Sequence, residues 1–469
     1  MKKLNRLSII GYGAGDAANN LAFTTATMFL LVYYTDVAGI SAAAAGTLLL
    51  AVRIFDAFAD VVAGRVVDRT FSKRFGKFRP FIMFGSIPLL LLSVTFSVPQ
   101  IGETGTLLYA YVTYAALGLA YSLVNIPYGS LAGAMTQDPG ERAKLGSARM
   151  IGAALVGSSL GIFVAPLIKP GADLQATFTG ITLAFVVIGA ALYFFTVFTA
   201  KEQVHRAVPN VTLRQSIDTL KGNKPLMMLC LSSLLFLSGY LALTSVQLYY
   251  LRDVLGRLDL YPVLSVIQLV LTFVLAAIMP RLVRAVGKKN VYVYASVVTV
   301  VGGVIVFLTP ASQTWIGFGG LLISLVGVMA VSIVVWALEA DTVEYGEWKT
   351  GVRTEGITYA LFSFTRKTGQ AVGGALAAYA LALGGYKSGA AQTAEAVFGI
   401  QVAAGAIPAV LALLALLVMT KYNLTDALHA RILADIRARR AEGEAAAAAA
   451  GAAQDGAGEP LEARPAAAN

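Results

Sequence analysis

Apolar residues run along this chain in long blocks, and short polar intervals separate them. Twelve blocks reach the length of roughly 20 residues that a helix needs to cross a bilayer. They fall at about 8–35, 41–68, 78–99, 105–136, 142–168, 177–200, 223–253, 260–285, 288–309, 314–343, 351–384 and 393–421. Several exceed the minimum, which predicts tilt or ends that project into water. Strands are not expected, because an open sheet edge in lipid leaves backbone groups unpaired. The predicted class is an all-α membrane protein with twelve transmembrane helices in two six-helix halves.

The longest polar interval inside the membrane region, 201–222, divides the chain into a first half, 1–200, and a second, 223–421. The two halves share a basic loop between their second and third segments, "GRVVDRTFSKRFGKFRP" and "PRLVRAVGKKN". Residues 422–469 form a tail that begins amphipathic in "DALHARILADIRARR" and becomes Ala-rich and of low complexity. Such a tail is expected to be disordered or loosely helical, since it has no core to bury.

Composition agrees with the pattern. Of 469 residues, 57% are hydrophobic and 13% charged, against about a quarter charged in soluble domains. The net charge of +10 needs no nucleic acid to explain it. Lys and Arg gather in alternate loops, around Lys2 and Lys3, Arg69 to Arg79, Arg142 and Lys144, Lys201 to Lys221, and Arg281 to Lys289. The loops between these are poor in charge, and where Arg252 and Arg257 break the rule, Asp253 and Asp259 offset them. Both termini are therefore expected on the cytoplasmic side of the cell (inner) membrane. The start "MKKLNRLSII" has no small-residue cleavage site after it, so no cleavable signal is expected.

One cysteine, Cys230, excludes a disulfide framework and a cysteine-rich metal site, and with two histidines, His205 and His429, in polar connecting sequence, a His-based metal centre is not expected. "GYGAG" lacks the spacing and preceding strand of a dinucleotide fingerprint. The chain has no Walker loop and no G-x-S-x-G elbow. Neither an enzyme nor a cofactor is expected.

The informative residues are polar ones inside the apolar blocks. In "RIFDAFADVVAGRVVDRT", Asp56 and Asp60 are four residues apart and share one face of the second helix. Intramembrane carboxylates cost at least about 2.5 kcal/mol on insertion scales and are functional by default. Two together repel, which a cation between them or a shared proton relieves. The alternative is a structural ion pair with Arg53 or with the other half. At the cytoplasmic end, Asp68 opposes the helix dipole and needs a partner. With Arg69 beside it, it is a candidate for a cytoplasmic gate. The first segment carries Asp16, Asn19 and Asn20. The fourth carries Ser122, Asn125 and Pro127, a proline that kinks a helix. Arg366 and Lys367 enter the eleventh segment about five turns from its start, and the buried lysine needs the carboxylates of the second helix. Arg149 opens the fifth. In "ALEADTVEYGEWKTGVRTEG", Asp341 and Glu344 are placed to pair with basic loops of the other half and close the cytoplasmic mouth.

"YTDVAGIS", "RIFDAFADVVAGRVVDRTFSKRFGKFRP", "NIPYGSL", "ADTVEYGEWKTGVRTEG" and "RKTGQAVGG", in that order, resemble the glycoside–pentoside–hexuronide:cation symporters. The likeness runs from about residue 5 to 421. The resemblance implies the major facilitator fold, alternating access about a central site, a monomer, and transport of a sugar or glycoside with a cation. It places the family's cation-site acids on Asp56 and Asp60, its cation-site hydroxyl on Ser122, its coupling base on Lys367 and its sugar-site arginine on Arg149. Melibiose-permease-like members carry acids where this chain has Asn20 and Asn125, and a tryptophan where it has Gly129. Neutral amides there suit a pentoside, a glucoside or an anionic uronide. Asp56, Asp60, Ser122 and Asn125 give an all-oxygen set for a hard cation, so Na+ is expected, with H+ as the alternative. The substrate residues expected are Asn20, Asn125, Arg149 and Lys367. Two other readings stand beside this one: a lipid or lysolipid transporter of the same fold, and a non-transporting membrane sensor.

Overall fold

A computed structural model of the chain describes residues 4–70, 72, 75–136, 139–169, 171–202, 222–351 and 355–456. Most of the predicted linker and the end of the tail lie outside these residues. Among them there is no strand, and the one β-bridge joins Ser72 to Gly76.

The helices of the first half are α1 (Arg6–Val32), α2 (Ala42–Arg69), α3 (Arg79–Met83), α4 (Ser86–Thr95), α5 (Glu103–Met135), α6 (Pro139–Ser159) and α7 (Leu174–Thr199). Those of the second are α8 (Lys224–Tyr249), α9 (Leu260–Val286), α10 (Lys288–Leu308), α11 (Thr314–Thr350), α12 (Glu355–Leu383), α13 (Ala394–Gln401) and α14 (Ile407–Thr420). A final helix, α15 (Asp426–Gly456), follows. Starts are marked by side chains that accept an otherwise orphaned backbone N–H. Ser41 takes Ala44 N at 3.3 Å, Asp173 takes Ala176 N at 3.0 Å and Asn223 takes Leu226 N at 3.1 Å. Single π-helical turns extend α1 (Tyr33–Val37), α6 (Leu160–Val164) and α8 (Tyr250–Val254), and another joins α13 to α14 (Val402–Ala406).

Among the described residues, nine helices are long and apolar enough to cross a membrane. Three predicted spans are not among them. Two are α1 and α12, which carry intramembrane polar residues. The third, 78–99, is two helices, α3 and α4, broken at Phe84 and Gly85. Gly85 lets α7 approach there, since a Cβ would come within 2.5 Å of the Tyr193 ring. By contrast α5 runs through Pro127 without ending.

In the first half, α1 packs on α6 and α7, and α5 on α2 and α4. In the second, α8 packs on α12 and α14, and α10 on α11 and α14. Small residues permit these approaches, as membrane helices need when dispersion rather than the hydrophobic effect joins them. At Gly13 of α1, a Cβ would lie 2.8 Å from the Ala148 carbonyl oxygen of α6. The halves meet through α2 with α12, α6 with α9, and α1 with α8. The start of the tail is helical and docked: Ile432 and Ile436 of α15 are buried in the second half's apolar cluster.

Candidate functional site

Helix α2 begins at its Ser41 cap and ends at Arg69, in the basic loop. This descent sets Asp56 midway and Asp60 one turn nearer the basic-loop end. Asp60 is held from two sides. Ser122 Oγ of α5 donates to its Oδ1 at 2.7 Å. Lys367 Nζ of α12 closes an ion pair with its Oδ2. The half-buried lysine thus has the counter-charge that the sequence required of it, and the pair bridges the two halves. Asp56 is 8% exposed. Arg53 Nη1 lies 3.5 Å from its Oδ2, and its Oδ1 has no hydrogen-bond partner. Gly118 of α5 lies directly against that oxygen, in space a Cβ would occupy. Arg53 itself sits 5.4 Å above the Phe23 ring. Arg53, Asp56, Phe23, Tyr114, Gly118 and Tyr121 line a small cleft of about 30 Å³.

The first-segment polar residues form a second cluster. Arg149 Nε donates to Asp16 Oδ1 at 2.7 Å, and the Asn20 amide donates to Asp16 Oδ2 at 2.9 Å. Thr24 Oγ1 donates to Asn20 Oδ1 at 3.1 Å. The Arg149 guanidinium lies 5.7 Å over Tyr128, which stacks on Tyr12 at 4.7 Å. Asn19 is elsewhere: it is 1% exposed and accepts from Tyr193 OH at 2.9 Å, inside the first half. Asn125 lies three residues beyond Ser122. It is half-buried and hydrogen-bonds to neither aspartate.

The cytoplasmic-gate expectation is corrected in its partners. Asp341 of α11 receives Lys288 Nζ of α10 at 2.6 Å, and His429 Nε2 of α15 lies 3.5 Å from it. Glu344 lies 2.5 Å from the same His429 nitrogen. Both acids therefore pair within the second half and with the tail, because the helix start at Lys288 and the docked tail bring Lys288 and His429 to within contact distance. Arg69 is exposed at the end of α2, and the Asp68 side chain lies outside what is described.

The cross-half lock that the sequence reading missed is at the opposite end. Arg252 Nη1 lies 2.9 Å from Asp36 Oδ2. Tyr386 OH donates to Asp36 Oδ1 at 3.0 Å, and Arg252 Nη2 donates to Tyr386 OH at 2.7 Å. Asp253 also pairs with Arg252, at 2.8 Å. Beside them, Thr35 Oγ1 and Tyr249 OH are 2.7 Å apart. Asp36 and Arg252 both sit in the π turns that end α1 and α8, a helix irregularity found at functional positions. The sequence held the signal. "YYTDVAG" at 33–39 is repeated as "YYLRDVLG" at 249–256, at equivalent places in the two halves.

Over residues 11–426 the sequence matches the family described as MFS/sugar transport protein. The chain belongs to this family. The expectation of a symporter family within the major facilitator superfamily stands, and the chain is a multi-pass transporter rather than an enzyme. The glucuronide carrier protein homolog of Escherichia coli (strain K12) is 45% identical over 444 residues, 94% of this chain and 97% of that one. The isoprimeverose transporter of Lactiplantibacillus pentosus is 31% identical, over 92% of this chain and 91% of its own. Among solved structures, the nucleoside transporter NupG matches with a TM-score of 0.62 at 14% identity, covering 89% of this chain and 100% of its own. That likeness shows the shared fold and nothing finer.

Proposed function

We propose that this protein is a cation-coupled sugar symporter that works by alternating access in the inner membrane, as a monomer with both termini cytoplasmic. The observation that carries the reading is the Lys367–Asp60 pair between the halves. An ammonium group occupies one oxygen of a carboxylate whose other oxygen holds the Ser122 hydroxyl, and the unpartnered Asp56 oxygen is on the same helix. Asp60, Ser122 and Asp56 offer oxygen donors of the kind a hard cation takes. Sodium is the favoured cation and a proton the alternative. A cation arriving at Asp60 competes with Lys367. Once released, Lys367 is free to meet a sugar hydroxyl or acid. In the empty carrier the lysine neutralises Asp60 again, so the halves can move without exposing a bare intramembrane charge. The sugar then lies among Asn20, Asn125, Arg149 and Lys367. The Asp36–Arg252–Tyr386 lock on the face away from the basic loops supports reading this conformation as inward-facing. The name of the 45% identical relative supports a uronide among the sugars to test.

The test is uptake into membrane vesicles from a panel of glycosides and uronides, driven separately by a sodium or a pH gradient. Asp60→Asn should abolish accumulation while leaving sugar binding, because the sugar groups lie on other helices. Accumulation by Asp60→Asn equal to wild type refutes the cation site. Failure of any gradient to drive any sugar turns the choice to a lipid carrier or a sensor.

A further inference from the structure

The intramembrane charges of the site close in pairs, with one exception. Asp16 holds Arg149, Asp56 holds Arg53 and Asp60 holds Lys367. Arg366, the residue before Lys367 on α12, makes neither an ion pair nor a hydrogen bond among the described residues. Successive helical residues point about 100° apart. Lys367 thus meets α2 while Arg366 turns to α11. There its guanidinium lies 4.8 Å over the Trp336 ring and 5.9 Å from Phe362. A ring face returns only part of what a guanidinium loses on leaving water.

The surroundings are those of a binding wall rather than of a packed core. Phe362 is fully buried beneath, but Trp336 is 40% exposed and Tyr359 is 48% exposed. The two rings stack at 6.1 Å with an interplanar angle of 24°. Tyr359 is also within electrostatic range of Arg149 and Tyr12 of the first half. It is thus near both the unpaired guanidinium of one half and the Asp16–Arg149 pair of the other. A planar guanidinium fixed by an aromatic face, with its N–H edge unspent, suits two-point recognition of a carboxylate.

We propose that Arg366 is the acid-binding residue of the substrate site, and that the substrate is a monoanionic sugar, a hexuronide, whose carboxylate supplies the missing counter-charge. This rests on the sugar-symporter reading and narrows it. Neutral Asn20 and Asn125 fit, because carboxylates at those positions would repel such a substrate.

The experiment compares two ligands that differ only at C6, 4-nitrophenyl β-D-glucuronide and 4-nitrophenyl β-D-glucoside. Their binding to the purified full chain is measured by calorimetry and thermal shift. Wild type should prefer the glucuronide by about 10- to 100-fold, the range of one charge-assisted bidentate contact. Arg366→Gln should bring the two affinities to within a few-fold of each other by weakening the glucuronide alone, and Arg366→Lys should restore part of the preference. With no ligand, Arg366→Gln should melt no lower than wild type, since it removes an unpaired charge. A lower melting point would show a structural partner for the guanidinium and overturn the proposal. So would a preference that survives in Arg366→Gln. Equal binding of both ligands by wild type overturns the acid-binding role and leaves the sugar-symporter reading intact. Binding of neither, with no neutral glycoside bound in a wider panel, overturns both.

Discussion

If Lys367 competes with the coupling cation for Asp60, removing its charge must tighten cation binding. The substitution is Lys367→Gln, which keeps the length of the side chain and some hydrogen bonding. Its magnitude follows from burial. The Lys367 and Asp60 side chains are 34% and 25% exposed, so the pair lies between the two limiting cases. Breaking a fully buried pair costs about 3–5 kcal/mol, and an exposed pair contributes about 0–1 kcal/mol. A value of about 1–2 kcal/mol is appropriate here, a factor of roughly 5 to 30 in an equilibrium constant. The sodium concentration at half-saturation should fall by that factor in Lys367→Gln. The assay is a sodium titration of purified protein, followed by thermal midpoint at fixed pH, with Asp60→Asn as the variant that should not respond. If the coupling ion is a proton, the same substitution should shift the pH midpoint of sugar binding instead. Accumulation should be impaired in either case, because the empty carrier returns with an uncompensated carboxylate. A sodium midpoint that stays put or rises, together with an unmoved pH midpoint, refutes competition between Lys367 and the cation.

Asp36→Asn should loosen the outer lock. Asp36 and Arg252 are 5% and 10% exposed, and Arg252 keeps Asp253, so the loss is one charge-assisted contact, about 1.5–3 kcal/mol. A cysteine placed at Thr27 in a Cys230→Ser background should become more reactive to an impermeant maleimide from outside, and unchanged labelling refutes the lock. His429→Ala should loosen the start of the tail helix, which would then be held by Asp426 on the Lys288 amide at 2.9 Å and by Trp348 through Asp435 at 3.0 Å and Arg439 at 2.8 Å. Trypsin cleavage after Arg437 should quicken several-fold while uptake stays near wild type, and an unchanged cleavage rate refutes the clamp.

What was legible in the sequence was set by local rules. Apolar length marks the spans, Lys and Arg mark one side, and a charge in an oily run demands a partner. Those rules located Asp56, Asp60, Ser122 and Lys367, and even assigned Lys367 to the carboxylates of α2. They failed where a partner had to be chosen among several charges near in space. Asp341 and Glu344 were assigned to the other half, yet Lys288 and His429 lie closer once α10 and α15 are packed. They gave one continuous span at 78–99, where the structure has two helices separated at Phe84 and Gly85.

The sequence by itself determined the class, the two-half organisation and the polar residues that need explaining, because hydropathy and spacing are properties of a segment alone, and its motifs carried the resemblance to the family. Only the tertiary structure decided which carboxylate of α2 takes Lys367 and which partners the remaining charges have. Pairing depends on helix rotation and on a few ångströms of approach between segments hundreds of residues apart. Asp36 with Arg252, and Asp60 with Lys367, are brought together by packing alone. Arg366 is the converse case. From sequence it is one more cation beside Lys367, and its lack of a partner becomes visible only when α11 and α12 set it over Trp336.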